Sequence, residues 1–243
     1  MKQQTRFAIA LLIGTAALAI SVGVQMASGQ GASDMQQKVA FVKQSVADNQ
    51  QRLHQYQWVE TTQLTLKGEP KPPKQNMCSY GPDGTVQKIP IGDSQPQEQS
   101  GREGRLKKHL IAKKTEEMKE YMQQVKGLLA LYVPPSSQRI QAAHQAGNIS
   151  ANTAAGAGIA QLIFKNYAQP GDQMTLSFNT AARKVQQLNV NTYLDNPKDA
   201  VTLAVQFDSL PDGTNYVQQT VLNAPEKKIQ VTTTNSNYQR LAQ

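Results

Sequence analysis

The feature that most constrains this chain is the alternation running through its C-terminal third. Leu162 and Phe164 are followed by Met174, Leu176 and Phe178, then Leu188 and Val190, then Val201, Leu203, Val205 and Phe207, and last Val221, Ile229 and Val231. Thr, Gln, Asn, Ser or Asp fill most positions between them. Breaks fall at Pro170-Gly171-Asp172, Asn196-Pro197, Pro211-Asp212-Gly213 and Pro225-Glu226. A period of two sends successive side chains to opposite faces, so each run predicts a strand with one apolar and one wet side. Breaks this short join antiparallel neighbours, which makes residues 157–237 a β-meander.

An apolar sheet face has to be covered, and the rest of the chain supplies both more strands and the cover. Tyr56 to Lys67 is rich in β-formers, a second run covers about 74–80, and a Gly81-Pro82-Asp83-Gly84 turn leads into Thr85–Ile91. A helix is expected over 33–55, with Met35, Val39, Val42, Val46 and Leu53 on one side. A second is expected from Arg105 to Tyr132, where Ile111, Met118, Tyr121, Met122, Val125, Leu129 and Tyr132 form a stripe. Pro134-Pro135 ends it, and Ser136 or Ser137 can cap a shorter helix through about Ala146, closed by Gly147. Residues 92–104 carry Gln, Gly and Ser with few apolar side chains and read as a flexible loop. Neither strand block has cover without the helices, so residues 30–243 read as one α+β domain with the helical insertion at 105–147. Nine strands make a sheet roughly 43 Å wide, whereas three helices shield roughly 30 Å. The expectation is a large curved antiparallel sheet around helices, either leaving an apolar cleft or filled entirely by side chains.

Residues 1–29 read as a signal peptide. Lys2 and Arg6 precede an uncharged, largely apolar run from Phe7 to Val24, and Ala27-Ser28-Gly29 offers small residues for cleavage. The alternative is an uncleaved anchor, because the run approaches the roughly 20 residues that span a bilayer. A mean hydropathy of −0.52 excludes a polytopic membrane protein. Cleavage implies a periplasmic protein. Cys78, the only cysteine, then pairs with another chain, reacts, or serves as a small buried hydrophobe.

The chemistry-bearing residues are sparse. There is no Gly-x-Ser-x-Gly elbow, no His-Glu-x-x-His and no Cys-x-x-Cys, and His54, His109 and His144 are scattered. No enzyme, no cofactor and no metal site is expected. Residues 105–156 carry eight basic and three acidic residues, so most of the net charge of the chain without its signal sits there. Lys113 and Lys114 on that helix suit anionic headgroups of a membrane surface, or simply a solvated face. Nucleic acid is not expected, since no aromatic residues interleave the lysines. An apolar site would be lined by Trp58 on the first strand and by Met118, Tyr121 and Met122 on the helix; the same residues equally suit an ordinary core.

A helix, a strand block opening Tyr56-Gln57-Trp58-Val59-Glu60-Thr61-Thr62, a helical insertion and a final meander together resemble the LolA/LolB lipoprotein-carrier superfamily. Phe178-Asn179-Thr180-Ala181-Ala182-Arg183-Lys184-Val185 and Leu210-Pro211-Asp212-Gly213-Thr214-Asn215-Tyr216 resemble late hairpins of such proteins. The resemblance implies an unclosed β-barrel with a helical lid on its concave apolar face, holding an acyl chain, lipid or lipoprotein. The expected function is a monomeric periplasmic carrier or sensor for a lipid-like or lipidated ligand. The alternative is a structural or regulatory interaction module of the envelope with a filled core.

Overall fold

The computed structural model describes residues 47–92, 105–152, 158–182 and 184–241, with residues 105–112 described by their backbone alone. The signal peptide, most of the first expected helix and nearly all of the 92–104 loop lie outside the described residues. Helix α1 covers residues 47–53. Strands β1 (Tyr56–Leu66), β2 (Glu69–Pro70), β3 (Lys74–Tyr80) and β4 (Val86–Ile91) follow, then helices α2 (Arg105–Leu129) and α3 (Ser137–Gln145). The chain continues through β5 (Ile149–Asn152), β6 (Ile159–Lys165), β7 (Gln173–Asn179), β8 (Lys184–Tyr193), β9 (Ala200–Ser209), β10 (Asn215–Ala224) and β11 (Ile229–Arg240).

All of these strands belong to one antiparallel sheet in the order β4-β3-β1-β11-β10-β9-β8-β7-β6-β5, with β2 paired to β1. The sheet does not close: β4 and β5 are its two edges. Both prolines in the strands, Pro70 and Pro90, sit in β2 and in edge strand β4, where a missing N–H costs no ladder bond. The sheet is an α+β curved sheet of eleven strands, two more than the alternation predicts. The extra two are the short β2 and β5.

Register divides the sheet into an apolar inner face and an amide- and hydroxyl-rich outer face. Leu64 pairs with Val231 and Leu66 with Ile229; Leu222 pairs with Leu203, Val190 with Met174, and Met174 with Phe164. All of these point inward. The opposite side carries Thr61, Gln63, Thr232, Thr234, Thr202, Asn189 and Thr175.

Three bulges keep this division where the sequence breaks parity. In β8 one residue is skipped between Val185 and Gln187, so Val185 and Leu188 both face inward although three residues apart. In β10 the skip between Val217 and Gln219 brings Val217 and Leu222 to the same side. Leu222, not Val221, is therefore the buried residue of that strand. In β11 the skip lies opposite Trp58, where Asn237 takes a left-handed backbone with φ 53°.

The C-terminal half of α2 and all of α3 pack on one end of the inner face. Tyr121, Met122, Val125 and Leu129 of α2 and Tyr132 just beyond it are buried together with Phe164, Met174, Leu176, Leu188, Val190, Val201, Leu203, Val205, Leu222, Ile229 and Val231. Of the expected helical stripe, Tyr121, Met122, Val125, Leu129 and Tyr132 are buried and Met118 partly so, the Ile111 side chain lies outside the described residues, and the helix ends three residues before Tyr132. Ser136 caps α3 by accepting the Arg139 N–H at 3.5 Å, and Gly147 at φ 69° lets the Asn148 N–H reach the Ala143 carbonyl at 2.8 Å.

Candidate functional site on the inner face

The inner face has two differently furnished ends. Under α2 and α3 it is a dense apolar core with one polar junction. Asp172, 2% exposed, accepts the backbone N–H groups of Tyr167, Ala168 and Gln169 and the Tyr132 hydroxyl at 2.5 Å. The Tyr132 oxygen also lies 2.7 Å from Thr192 Oγ1. This junction ties the α2–α3 connection to the β6–β7 turn. Burial first, and the Asp172 carboxylate second, hold the Tyr132 phenol well above its ordinary range. Tyr121 makes a matching tie, donating to Asp199 at 2.8 Å with the Lys227 ammonium 5.5 Å from its ring centre.

The other end, beside α1, is aromatic. Trp58 stacks on Tyr238 with ring centres 5.5 Å apart, Tyr80 lies 5.4 Å from Trp58, and His54 stacks on Tyr80 at 4.4 Å. Tyr216 and Tyr56 complete the group against Tyr238. The Trp58 indole N–H donates to Asn235 Oδ1 at 3.1 Å. α1 is fastened over this end: Asn49 exchanges two hydrogen bonds with Asn215, and Arg52 donates to the Thr214 hydroxyl. Asp212 accepts the Thr214 N–H, the Tyr56 hydroxyl and the Arg240 guanidinium. Burial alone would raise its carboxyl, but these donors together hold it well below the usual carboxylate range.

Between the two ends lies a polar band. Glu60, 8% exposed, faces inward from β1 and pairs with Lys88 of β4, whose Nζ is 2.7 and 2.5 Å from Oε1 and Oε2. Asn76 of β3 donates to the same Oε1 at 3.4 Å, and Asn235, Thr62, Thr233 and Thr220 continue the band across the sheet. Cys78, fully buried beside this pair, has its thiol pushed up to about 11 by burial first and then by the Glu60 carboxylate, so it stays protonated at neutral pH. The pleat carries this arrangement, since Glu60 shares parity with Trp58, yet nothing in the sequence alone marks Asn76 and Lys88 as its partners.

Of the residues proposed for an apolar site, the structure gathers Met118, Tyr121 and Met122 in the α2 core, with Met118 only partly buried. Trp58 is on the same sheet face but outside that cluster, in the aromatic end. Lys113 and Lys114 are exposed on α2. The apolar lining extends to Leu162, Phe178, Val185 and Phe207, which face inward from β6, β7, β8 and β9, pack against that cluster and are half-buried. Among the described residues no three His, Cys, Asp or Glu side chains are grouped to hold a metal, and no helix is long and apolar enough to cross a membrane.

No family model matches the chain, and no curated protein matches it. Among solved structures it is similar to a DUF1329 family protein from Desulfovibrio piger, at 10% identity and a TM-score of 0.32, over 79% of this chain and 90% of that one.

Proposed function

We propose that the protein is a periplasmic carrier or sensor that holds a lipid-like or lipidated ligand between the curved sheet and its helical layer. The observation that carries this reading is the graded lining of the inner face. Phe164, Met174, Leu176 and Val205 are at most 1% exposed, whereas Leu162, Phe178, Val185 and Phe207 on the same strands are half-buried. An acyl chain laid along that strip would remove apolar surface from water at about 25 cal/mol per Å². Met118, partly buried against the same core, is the adaptable residue of α2. Tyr121 and Met122 are buried in that core, Trp58 stands at the aromatic end, and Lys113 and Lys114 offer an anionic headgroup two cations.

The second reading, an envelope interaction module with a filled core, draws on the tight packing of Val125, Leu129 and Tyr132 and on the stacked, hydrogen-bonded Trp58. Native mass spectrometry of the protein purified without detergent from its source separates the two. The carrier reading predicts adducts with lipid masses that disappear in a Phe178→Asp variant. A bare protein that also fails to bind fatty acid or lipopeptide in titration rejects it. N-terminal sequencing of the same sample tests export: a start near Gln30 is expected, and an intact Met1 in the membrane fraction would indicate an anchor.

A further inference from the structure

The inward-facing group formed by Glu60, Asn76 and Lys88 is not used by the reading above. β1, β3 and β4 lie side by side; Glu60 is directly opposite Asn76, and Lys88 is opposite Cys78, one inward position along. Lys88 Nζ and Asn76 Nδ2 converge on one oxygen, Glu60 Oε1, at 2.7 and 3.4 Å. The Lys88 and Glu60 side chains are only 17% and 10% exposed, with Trp58 and Cys78 buried next to them. An amine and a carboxamide both held against one carboxyl, with the amine and the carboxyl largely shielded from water, are the functional groups that amide exchange requires.

We propose that Lys88 and Asn76 become joined by an amide bond between Lys88 Nζ and Asn76 Cγ, with Glu60 carrying the protons. One proton passes from the ammonium to the carboxylate, leaving a free amine and a carboxylic acid. A half-turn of the Asn76 amide turns Oδ1 toward Glu60, whose O–H then polarises the carbonyl. The Nζ lone pair forms the new bond to Cγ while the carbonyl π pair moves onto Oδ1. Oδ1 takes the Glu60 proton, and the carboxylate so formed accepts the surplus proton from Nζ and delivers it to Nδ2. Oδ1 returns its proton to Glu60 as the carbonyl re-forms and the Cγ–Nδ2 bond breaks, and ammonia leaves. An amine and a carboxamide become a secondary amide and ammonia, Glu60 is regenerated, and no oxidant or reductant is consumed. Holding the three groups together replaces a bimolecular encounter by an intramolecular one. The neighbouring thiol does not compete, because it is a thiolate only in strong base. The bond would fasten β4, an edge strand with Ile89 68% exposed, to β3 in a chain whose single cysteine cannot form an internal disulfide.

Intact-mass measurement of the purified full chain tests this directly. The expected mass is about 17 Da below that of its own sequence, the loss of one ammonia. Trypsin should leave Lys88 uncut, giving a light peptide over residues 75–102. A full-mass protein overturns the proposal, and so does a light protein in which Lys88 is still cleaved, because a succinimide at Asn76 loses the same mass without touching Lys88. Glu60→Gln and Lys88→Arg variants should each return to full sequence mass. A Glu60→Gln protein that remains light would remove Glu60 from the reaction.

Discussion

Removing one oxygen atom, in Tyr132→Phe, tests the polar junction that docks the helical layer. The ring stays, so the apolar burial of a fully covered side chain is conserved. What is lost is the hydroxyl that donates to Asp172 and touches Thr192. Asp172 keeps three backbone donors, and Thr192 keeps the Gln169 amide at 2.9 Å, so neither partner is left alone. The cost is therefore that of one hydrogen bond to a buried acidic group, about 1.5–3 kcal/mol, rather than that of an orphaned charge. For a protein of this length such a loss lowers Tm by about 3–12 °C. The control is Tyr193→Phe, whose hydroxyl donates to the Pro170 carbonyl at an exposed site and is worth about 1 kcal/mol or less. Urea unfolding followed by far-UV circular dichroism reads both, with the slope m expected unchanged. Equal midpoints for Tyr132→Phe and wild type would refute the junction, and a changed slope would mean that the helical layer unfolds separately from the sheet.

Met122→Asp should destabilise by several kcal/mol, because it sets a carboxylate in the α2 core, whereas Lys113→Gln with Lys114→Gln should stay within about 0.5 kcal/mol; comparable midpoint shifts would mean that the two faces of α2 are misassigned. Asp212 has a depressed carboxyl in the fold, so its contribution is complete above the ordinary carboxylate range and fades as the pH falls through the folded value. The stability gap between wild type and Asp212→Asn should accordingly be constant from pH 7 to about 5 and shrink below about 4; a gap that widens in acid contradicts the assignment. If α2 meets a membrane surface through Lys113 and Lys114, flotation should favour vesicles with anionic lipid over neutral ones, and the preference should weaken as salt rises. Identical binding to both vesicle types would exclude those lysines from the contact.

The meander was readable because its turns carry Pro, Gly and Asp at positions that interrupt a period of two. α3 was readable for a similarly local reason, with Ser136 before it and Gly147 after it. β5 left no such trace: a lone Ile149 in a polar stretch becomes an edge strand only because β6 offers it an open ladder. The choice between Val221 and Leu222 could not be made locally either. It is settled by a bulge four residues earlier, which reverses the parity that simple alternation assumes. The same limit applies to the candidate site. Helical spacing groups Met118, Tyr121 and Met122 correctly, but whether Trp58 joins them depends on where along β1 the helices dock. Its stacking on Tyr238 further depends on Asn237 adopting a left-handed backbone in a strand some 180 residues away.

The strand order has a consequence for how the polypeptide is completed. β1 and β11 are neighbours in the middle of the sheet, not at its rim. Until β11 has emerged, the early hairpins and the late meander are two separate slabs joined only through the helical segment. Each slab presents a bare ladder where the other should be. A nascent chain, completed from its N-terminus, would thus carry an open seam until β11 is made and can pair with β1. Cutting that strand off removes the keystone of an arch rather than a stone from its end.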